Sequence, residues 1–384
     1  MDNQLATNFK TVRLFTENYC KPLTTEDYIP QVVEYASPPL WHLAHTTWFF
    51  EQMILVPFLK DYQIYHKDFS FLFNSYYDTM GERNLRNRRG AITRPGVKEV
   101  YKYRVHVNLS ILKLLKESHA KEVTELMILG INHEQQHQEL LLTDLKLTFS
   151  YNPLQPVYSA SNNFEFPEQK KAQWVNFEES INHIGHEGNS FCFDNELGRH
   201  KVFTQNFSIA TELVTNGEYL EFINSGGYQD FSHWLNEGWK WVTKNKETAP
   251  LYWEKTNNEW QYFTLSGLNK IDLNAPVCHV NFYEANAYAT WKGLRLPTEF
   301  EWETASKNIN WGARWEWTNS AYLPYPNFIK SKGAVGEYNG KFMINQMVLR
   351  GSSVATSPDH GRPTYRNFFP PEMQWQYSGI RLAK

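Results

Sequence analysis

Two histidines, His133 and His137, stand four residues apart in a stretch with the pattern of a helix. The stretch from Leu126 to Leu147 has no proline and one glycine, and its apolar residues recur every three or four positions. Residues four apart share a helix face, so both imidazoles point the same way, along the apolar stripe. Burying two imidazoles without partners is unfavourable, and a metal ion between them would satisfy both.

A metal site built on this pair needs a third ligand, and an earlier segment contains two candidates. His42 and His45 follow Pro38-Pro39, which marks the start of a helix, and they lie within one helical turn of each other. Because residues three apart share a face, either histidine is suitable, and spacing alone does not choose between them.

The string His133-Glu134-x-x-His137 also matches the short signature of zinc metallopeptidases. In that interpretation Glu134 is the general base that acts on a zinc-bound water, and the reaction is hydrolysis. It predicts that replacing Glu134 alone abolishes activity. This hypothesis is the alternative to a metal chemistry that uses the histidines without Glu134.

The length and composition of the chain indicate an ordinary globular protein with two domains. It has 384 residues, of which 41% are hydrophobic and 21% charged, and a formal net charge of −3. This charge argues against nucleic-acid and membrane-surface partners, and we find no apolar run or signal pattern that predicts a membrane or secreted protein. Three widely spaced cysteines are typical of the reducing cytoplasm rather than of a disulfide framework.

Residues 1–152 are predicted to form the first domain, a four-helix bundle. Its helices are Leu5–Tyr19, the segment after Pro38-Pro39, Val97–Leu115 and the stretch that carries His133 and His137. Residues 24–27 are also typical of a cap, which predicts a short helix over Tyr28–Val33. Metal sites between facing helices are common in bundles of this kind.

Five arginines occur within twelve residues of this domain, at Arg83, Arg86, Arg88, Arg89 and Arg94. A solvated charged face explains any single one of them equally well. The planar guanidinium suits carboxylates, however, and the total charge is nearly balanced. The functional interpretation is therefore a small acidic substrate rather than a polyanion.

Residues 153–384 are predicted to form the second domain, of irregular α+β type. Its sequence consists of short apolar pieces punctuated by Gly, Asn and Pro, and it holds most of the tryptophans of the chain. One helix is expected in Asn281–Trp291, and the segment Lys292–Glu303 is typical of a strand that leads into a second helix.

Five segments distributed over nearly the whole chain carry a family resemblance. They are Leu40–Glu51 (LWHLAHTTWFFE), Leu72–Tyr77 (LFNSYY), His133–His137 (HEQQH), Leu294–Trp302 (LRLPTEFEW) and Thr364–Phe369 (TYRNFF). In this order they resemble the ergothioneine-biosynthesis sulfoxide synthases, or hercynine oxygenases. The resemblance implies a DinB-like four-helix bundle followed by a C-type-lectin-like domain of the formylglycine-generating-enzyme type.

The same resemblance implies a mononuclear non-haem iron(II) centre held by His45, His133 and His137. The Trp-x-Leu-Ala-His frame selects His45, which leaves His42 to pack beside the site or to support a ligand. The implied reaction is oxygen-dependent C–S bond formation. A cysteine-type thiolate and the imidazole of hercynine (Nα-trimethylhistidine) bind iron(II), O2 takes an open position, and the product is a sulfoxide.

The resemblance also implies residues that bind hercynine. Gln136 is expected to hydrogen-bond the imidazole, and Asn367 to contact the carboxylate or its surroundings. Phe368 and Phe369 are expected to face the trimethylammonium group, which cannot donate hydrogen bonds but is attracted to aromatic faces.

Two further sets of residues are implied for the thiol and for proton transfer. Tyr76 and Tyr77 match a tyrosine pair near the iron, and one of them is expected to donate a proton. Arg86 and Arg89 are expected to bind the carboxylate of the thiol substrate, and Arg88 and Arg94 compete for that role.

The resemblance leaves the identity of the substrates open, because relatives with the same scaffold use different substrate pairs. The variants Asn74–Tyr77 and Asn367–Phe369 resemble members that use free cysteine, so we expect cysteine as the sulfur donor. The alternatives are γ-glutamylcysteine, histidine itself for an ovothiol precursor, and a selenosugar for selenoneine. A lectin-like binding module on an inactive bundle is disfavoured because His45, His133 and His137 are all present.

Overall fold

A computed structural model gives the structure of the protein and describes residues 2–75, 84–117, 120–160, 170–330 and 339–384. The chain divides into two compact units, with the boundary between Tyr158 and Ser159. Among the described residues, no helix combines the length and the apolar character needed to cross a bilayer.

The first unit is helical. Its α-helices are α1 (Asp2–Cys20), α2 (Pro39–Phe50), α3 (Val56–Phe58), α4 (Phe69–Leu72), α5 (Val97–Glu117) and α6 (Lys121–Ser150). Short 3-10 helices cover Thr25–Tyr28 and Arg86–Ala91, and a π-helical turn, Glu51–Leu55, joins α2 to α3. The long helices predicted from hydrophobic spacing are therefore confirmed, although the helix that carries His133 and His137 begins five residues before the predicted stretch.

Helix α2 lies at the centre of this unit. All twelve of its residues are buried, and it packs against both α5 and α6, while α1 also packs against α6. Proline is compatible with the first turn, because an N–H there has no partner within the helix. A helix that is buried on every side requires partners for its polar residues, and Thr46 and Thr47 donate to backbone carbonyls one turn earlier.

The core of the first unit is large and aromatic. It includes residues of α2 and of the π turn together with one face of α5, on which Val100, Tyr103, Val107 and Ile111 are fully buried. Burial of one large apolar side chain contributes about 1.5–3 kcal/mol, so this core holds α2 and α6 in a fixed relation. That relation positions any side chains that meet between the two helices.

The helix predicted over Tyr28–Val33 is wrong. Thr24 and Asp27 do form a capping pair, but the element that they cap is the 3-10 turn Thr25–Tyr28, and no regular element is present in residues 29–33. Pro30 is the physical reason, because it has no N–H with which to continue the hydrogen bonds of the turn that begins at Thr25.

The second unit is an α+β structure with short elements. Its helices are α7 (Asn216–Asn224), α8 (Asn236–Asn245), α9 (Phe282–Trp291) and α10 (Glu299–Ala305). Its strands are β1 (Trp174–Phe177), β2 (Ser180–Ile184), β3 (His200–Thr204), β4 (Phe207–Ala210), β5 (Trp253–Thr256), β6 (Glu259–Thr264), β7 (Gly267–Lys270), β8 (Trp315–Ala321), β9 (Met347–Gly351), β10 (Asn367–Phe369) and β11 (Ser378–Gly379).

The strands form several small sheets. The four-stranded sheet has the order β10-β9-β8-β11, with β11 parallel to β8 and the other pairs antiparallel. Strands β5, β6 and β7 form an antiparallel meander, and β1–β4 and β2–β3 are antiparallel pairs. This confirms the expected irregular α+β character.

Capping boxes fix three of the helices in the second unit. Thr215, Asn281 and Thr298 each accept from the backbone N–H of a glutamate three residues later, and that glutamate bonds back to the cap. The helix predicted in Asn281–Trp291 is thereby confirmed. The segment before α10 makes one isolated bridge, from Arg295 to Ala383, instead of the expected strand.

Candidate metal centre

Three histidines from two helices of the first unit converge in its interior. His45 lies on α2, His133 and His137 lie on α6, and all three are buried. One potential ligand atom from each lies within 4.8 Å of those of the other two, and the ring centroids are 4.7 to 5.0 Å apart. The structure therefore brings together the three predicted ligands in an arrangement that one metal ion can share.

The electrostatics of the site favour neutral imidazoles. Burial lowers the pKa of His133 to about 4. Burial, together with the neighbouring His133, also holds the pKa of His45 and of His137 well below the usual value. Neutral imidazole is the form that binds metals, so these rings are in the ligand state near neutral pH.

A hydrogen bond fixes the tautomer of His45. Its Nδ1 lies 2.6 Å from the carbonyl oxygen of Phe73, which can only accept. The proton is therefore on Nδ1, and the lone pair on Nε2 is available to a metal. A carbonyl behind a ligand histidine is a usual way of orienting it.

His42 is located beside the three histidines and not among the clustered ligand atoms. Its Nδ1 lies 2.9 Å from Nδ1 of His137, and its Nε2 lies 3.0 Å from Oδ2 of Asp144. The structure thus places His42 between a candidate ligand and a buried carboxylate. Asp144 was not singled out from the sequence, although it lies seven residues after His137 and therefore shares its helix face.

His133 provides a test of whether the residues fit a metal. Its Nδ1 is buried and has no hydrogen-bond partner among the described residues. A buried polar atom without a partner costs about 1–3 kcal/mol, and packing alone does not compensate for it. An orphaned nitrogen beside two further neutral imidazoles fits a metal ligand, so the donor set is suited to the implied ion.

Glu134 is engaged in a different set of contacts. It accepts from Arg13 at 2.9 Å and Arg104 at 3.1 Å, and Thr16 donates to it at 2.7 Å. Burial raises the pKa of this carboxyl, but the two arginines outweigh burial and lower the pKa to about 2. Both oxygens are occupied and the group is a very weak base, which removes the general base that a zinc peptidase requires.

Arg89 lies beside the histidine cluster. The indole of Trp41 stacks on His45 at 4.4 Å between ring centroids, and the guanidinium of Arg89 lies 3.4 Å from the centroid of the same indole. Arg89 is buried and donates to the hydroxyls of Ser37 and Ser75, both at 2.8 Å. Its positive charge is close enough to contribute to the lowered pKa of His45 and His137.

Arg83 lies outside the described residues, and the other arginines of this segment are placed differently from Arg89. Arg86 donates to the backbone carbonyl of Tyr35, which holds the chain entering α2. Arg88 and Arg94 are exposed. Burial and the contact with Trp41 therefore distinguish Arg89 from its neighbours.

The remaining predicted site residues are in three places. Gln136 is half-buried on α6 next to His137. Tyr76 and Tyr77 lie outside the described residues. Asn367, Phe368 and Phe369 form β10 in the second unit.

The aromatic side chains of β10 pack against other rings of the second unit. The ring of Phe368 stacks on Tyr322 at 4.0 Å between centroids, and Phe369 lies edge-on to Trp375 at 5.1 Å. All three residues of the strand are half-buried.

Comparisons with known proteins fall on both halves of the chain. Residues 178–310, which lie in the second unit, match the family model of the sulfatase-modifying factor enzyme 1-like domain. A hercynine oxygenase of Mycobacterium tuberculosis is 29% identical in an alignment of 301 residues that covers 66% of this chain and 70% of that protein. One from Mycolicibacterium smegmatis is 31% identical in an alignment of 240 residues that covers 50% of this chain and 55% of that protein.

A fungal relative shows a similar match over part of its length. Ergothioneine biosynthesis protein 1 of Schizosaccharomyces pombe is 26% identical in an alignment of 232 residues that covers 50% of this chain and 28% of that protein. The matched part of the chain therefore spans from about a quarter to 70% of these relatives.

Proposed function

We propose that this chain, a homologue of the hercynine oxygenases, is an iron(II)- and oxygen-dependent sulfoxide synthase of ergothioneine biosynthesis. It would join the sulfur of a cysteine-type thiol to the imidazole of hercynine. In this proposal the first unit is a DinB-like bundle and the second has the C-type-lectin-like fold. The observation that carries the proposal is the convergence of His45, His133 and His137 as buried neutral imidazoles.

The composition of the donor set supports iron(II) as the metal. Three neutral imidazoles leave three positions of an octahedral ion open, enough for two substrates and O2. They also leave the positive charge of the ion uncompensated, which favours a thiolate as an incoming ligand. Bound iron(II) would supply the electron transfer that lets O2 react with the two organic substrates.

The proposed reaction balances without a further reductant. Hercynine loses the hydrogen of one imidazole C–H and the thiol loses the hydrogen of S–H when the C–S bond forms, which releases two electrons and two protons. Oxygenation of the sulfur releases two more electrons to the oxidant. O2 takes up all four electrons, so one oxygen atom ends in the sulfoxide and the other in water.

Arg89 is our candidate for binding the carboxylate of the thiol substrate. It is a buried guanidinium beside the metal ligands, and a carboxylate matches its fork geometry and charge. Arg86 is its proposed partner in this role, while its contact with Tyr35 also fixes the approach to α2.

The residues proposed to contact hercynine are those that the family resemblance implies. Gln136 would bond the imidazole, Asn367 would contact the carboxylate region, and Phe368 and Phe369 would face the trimethylammonium group. Tyr76 or Tyr77 would donate the proton that a reduced oxygen species or the sulfoxide oxygen needs. We further propose a cytoplasmic enzyme that uses free cysteine.

A substrate-pairing experiment tests the proposal. Protein loaded with iron(II) is incubated without oxygen with hercynine and either cysteine or γ-glutamylcysteine, then exposed to air and analysed by mass spectrometry. We expect a sulfoxide whose mass equals hercynine plus cysteine plus one oxygen atom minus two hydrogen atoms. A preference for γ-glutamylcysteine contradicts the choice of thiol, and no coupled product with any thiol contradicts the reaction.

A further inference from the structure

The three candidate ligands differ in what lies behind them. His45 donates to the neutral carbonyl of Phe73, and Nδ1 of His133 has no partner among the described residues. Behind His137 stands His42, and behind His42 stands the carboxylate of Asp144. The side chains of His137, His42 and Asp144 are each at least nine-tenths buried. A buried histidine–carboxylate pair therefore supports one ligand of the three.

Hydrogen-bonding chemistry fixes the direction of the protons. Oδ2 of Asp144 accepts the backbone N–H of Ser37 at 2.8 Å, so it is an acceptor, and His42 donates to it from Nε2. With that proton on Nε2, the His42 ring presents the lone pair of Nδ1, which accepts from Nδ1–H of His137. This leaves the lone pair of His137 on Nε2, the nitrogen that a metal needs.

We propose that Asp144 and His42 are positioning residues that hold His137 in its metal-binding tautomer and pass the electron density of the carboxylate to it. This inference rests on the metal centre of the proposed function; it gives Asp144 a role for the first time and chooses support of a ligand over simple packing for His42. It provides an otherwise neutral ligand set with one negative charge, two hydrogen bonds away from the ion. Carboxylates behind ligand histidines raise ligand basicity in the same way.

The proposal makes His137 the strongest donor of the three histidines. Loss of the charge of Asp144 reduces the basicity of His137. Loss of the His42 nitrogens removes the hydrogen bond that fixes the tautomer of His137. Partners of this kind typically change metal affinity by about 10- to 100-fold. The oxidised ion depends more on electron-rich ligands than the reduced ion, so loss of either residue raises the iron(III)/iron(II) midpoint potential.

The contacts from Asp144 through His42 to His137 form a relay, and a double-mutant cycle on metal binding tests it directly. The variants are Asp144→Asn, which keeps the shape and removes the charge, His42→Phe, which keeps a ring and removes both nitrogens, and the double variant. Cobalt(II) is titrated into metal-free protein under anaerobic conditions, and its visible absorption and dissociation constant are recorded against a competing chelator. We expect each single variant to bind cobalt about 10- to 100-fold more weakly.

The double variant separates a relay from a structural role. If Asp144 acts through His42, the double variant binds cobalt no more weakly than His42→Phe alone, whereas independent roles give additive losses. The matched control is His106→Phe, at a half-buried histidine whose Nε2 bonds the carbonyl of Gln63 away from the site. This control is expected to leave cobalt affinity unchanged, and thermal unfolding of each metal-free variant shows that it folds.

The outcomes distinguish the relay from the site on which it rests. Unchanged cobalt affinity in Asp144→Asn, or additive losses in the cycle, overturns the relay while leaving the metal centre in place. A wild-type protein that binds no cobalt overturns the metal centre itself. Weaker binding, a shifted cobalt spectrum and non-additivity together support the relay.

Discussion

Helix α6 carries two kinds of chemistry on adjacent residues, His133 and Glu134. His133 meets other imidazoles, and its Nδ1 has no partner in the described part of the chain, whereas Glu134 neutralises two buried arginines. A one-residue step along a helix rotates a side chain by about 100°. One of two neighbouring residues can therefore face the metal site while the other forms the buried ion pairs that stabilise the helices around it. These ion pairs are also linked to α2, because Arg104 donates to the carbonyl of Leu43 and to Thr46.

Replacing Glu134 is expected to affect stability strongly. Glu134→Gln leaves Arg13 and Arg104 buried with less counter-charge, and breaking a buried ion pair in this way costs about 3–5 kcal/mol of unfolding free energy. Urea denaturation of the metal-free protein measures this quantity.

The control for this prediction is Glu125→Gln on the same helix. Glu125 pairs with Lys121 at 3.4 Å, but both side chains are exposed, so the loss is expected to stay below about 1 kcal/mol. Equal, small losses in the two variants would contradict the assigned role of Glu134.

We expect His360, in the second unit, to make the free energy of unfolding depend on pH. Burial, with a contribution from Arg362, lowers its pKa to about 3. Because the folded pKa is depressed, the unfolded state binds a proton first as the pH falls. The stability from this group is present above about pH 6.5 and is lost progressively towards pH 3.

A variant isolates the contribution of this histidine. His360→Phe keeps a ring against Phe193 and Tyr365 but cannot titrate. Between pH 7 and pH 5 the wild type is expected to lose about 2 kcal/mol more than the variant. Urea denaturation at both pH values gives the comparison, and parallel losses in the two proteins would refute the assignment.

At the level of elements, the close approach of α6 to α2 sets the distance between the ligands. Gly130 lies one turn before His133, and a Cβ placed there would be 2.6 Å from Cε1 of Phe50 and 3.0 Å from Cε1 of Phe49. Glycine therefore allows the two helices to pack at the distance that the three histidines need.

Gly130→Ala is expected to force the helices apart. Overpacking a core costs about 1–3 kcal/mol, which exceeds the helix propensity of up to about 1 kcal/mol that alanine adds. We expect lower stability in urea and weaker cobalt binding, because α2 and α6 carry different ligands.

Gly96→Ala is the matched control, since a Cβ there meets no atom within 4 Å. Its stability and cobalt affinity are expected to match those of the wild type. If Gly130→Ala behaves like this control, the proposed spacing constraint does not exist.

Sequence patterns predicted these elements where periodicity was long and uninterrupted. The histidine helix, α1 and α5 were predicted from spacing, because many residues contribute to each pattern. The short helix over Tyr28–Val33 failed because Pro30 prevents it, although the cap at Thr24 exists. A cap at four positions is too local a signal to determine the conformation of the residues beyond it.

Sequence patterns predicted only part of the candidate metal site. Spacing paired His133 with His137, but the choice of His45 over His42 came from the family resemblance. The contact of His42 with Asp144 depends on how two helices pack and on which rotamers they adopt. No sequence pattern encodes that, so the support behind His137 became visible only in the structure.

At the level of the whole molecule, the proposed ion joins segments that are far apart in sequence. His45 and His137 belong to different helices, so binding of an ion to the folded state alone stabilises both by linkage. Hydrogen exchange followed by mass spectrometry is expected to show added protection in α2 and α6 when metal-free protein takes up cobalt(II). Protection limited to one of these helices would contradict shared ligation.

The most direct test of the account compares metals in one preparation. Protein purified without oxygen is stripped of metal and reloaded with one equivalent of iron(II) or zinc, and turnover of hercynine, cysteine and O2 is measured. We predict that iron restores sulfoxide formation, that zinc does not, and that His45→Ala no longer retains one equivalent of iron. Full turnover with stoichiometric zinc, or one equivalent of iron retained without His45, would contradict the central claim.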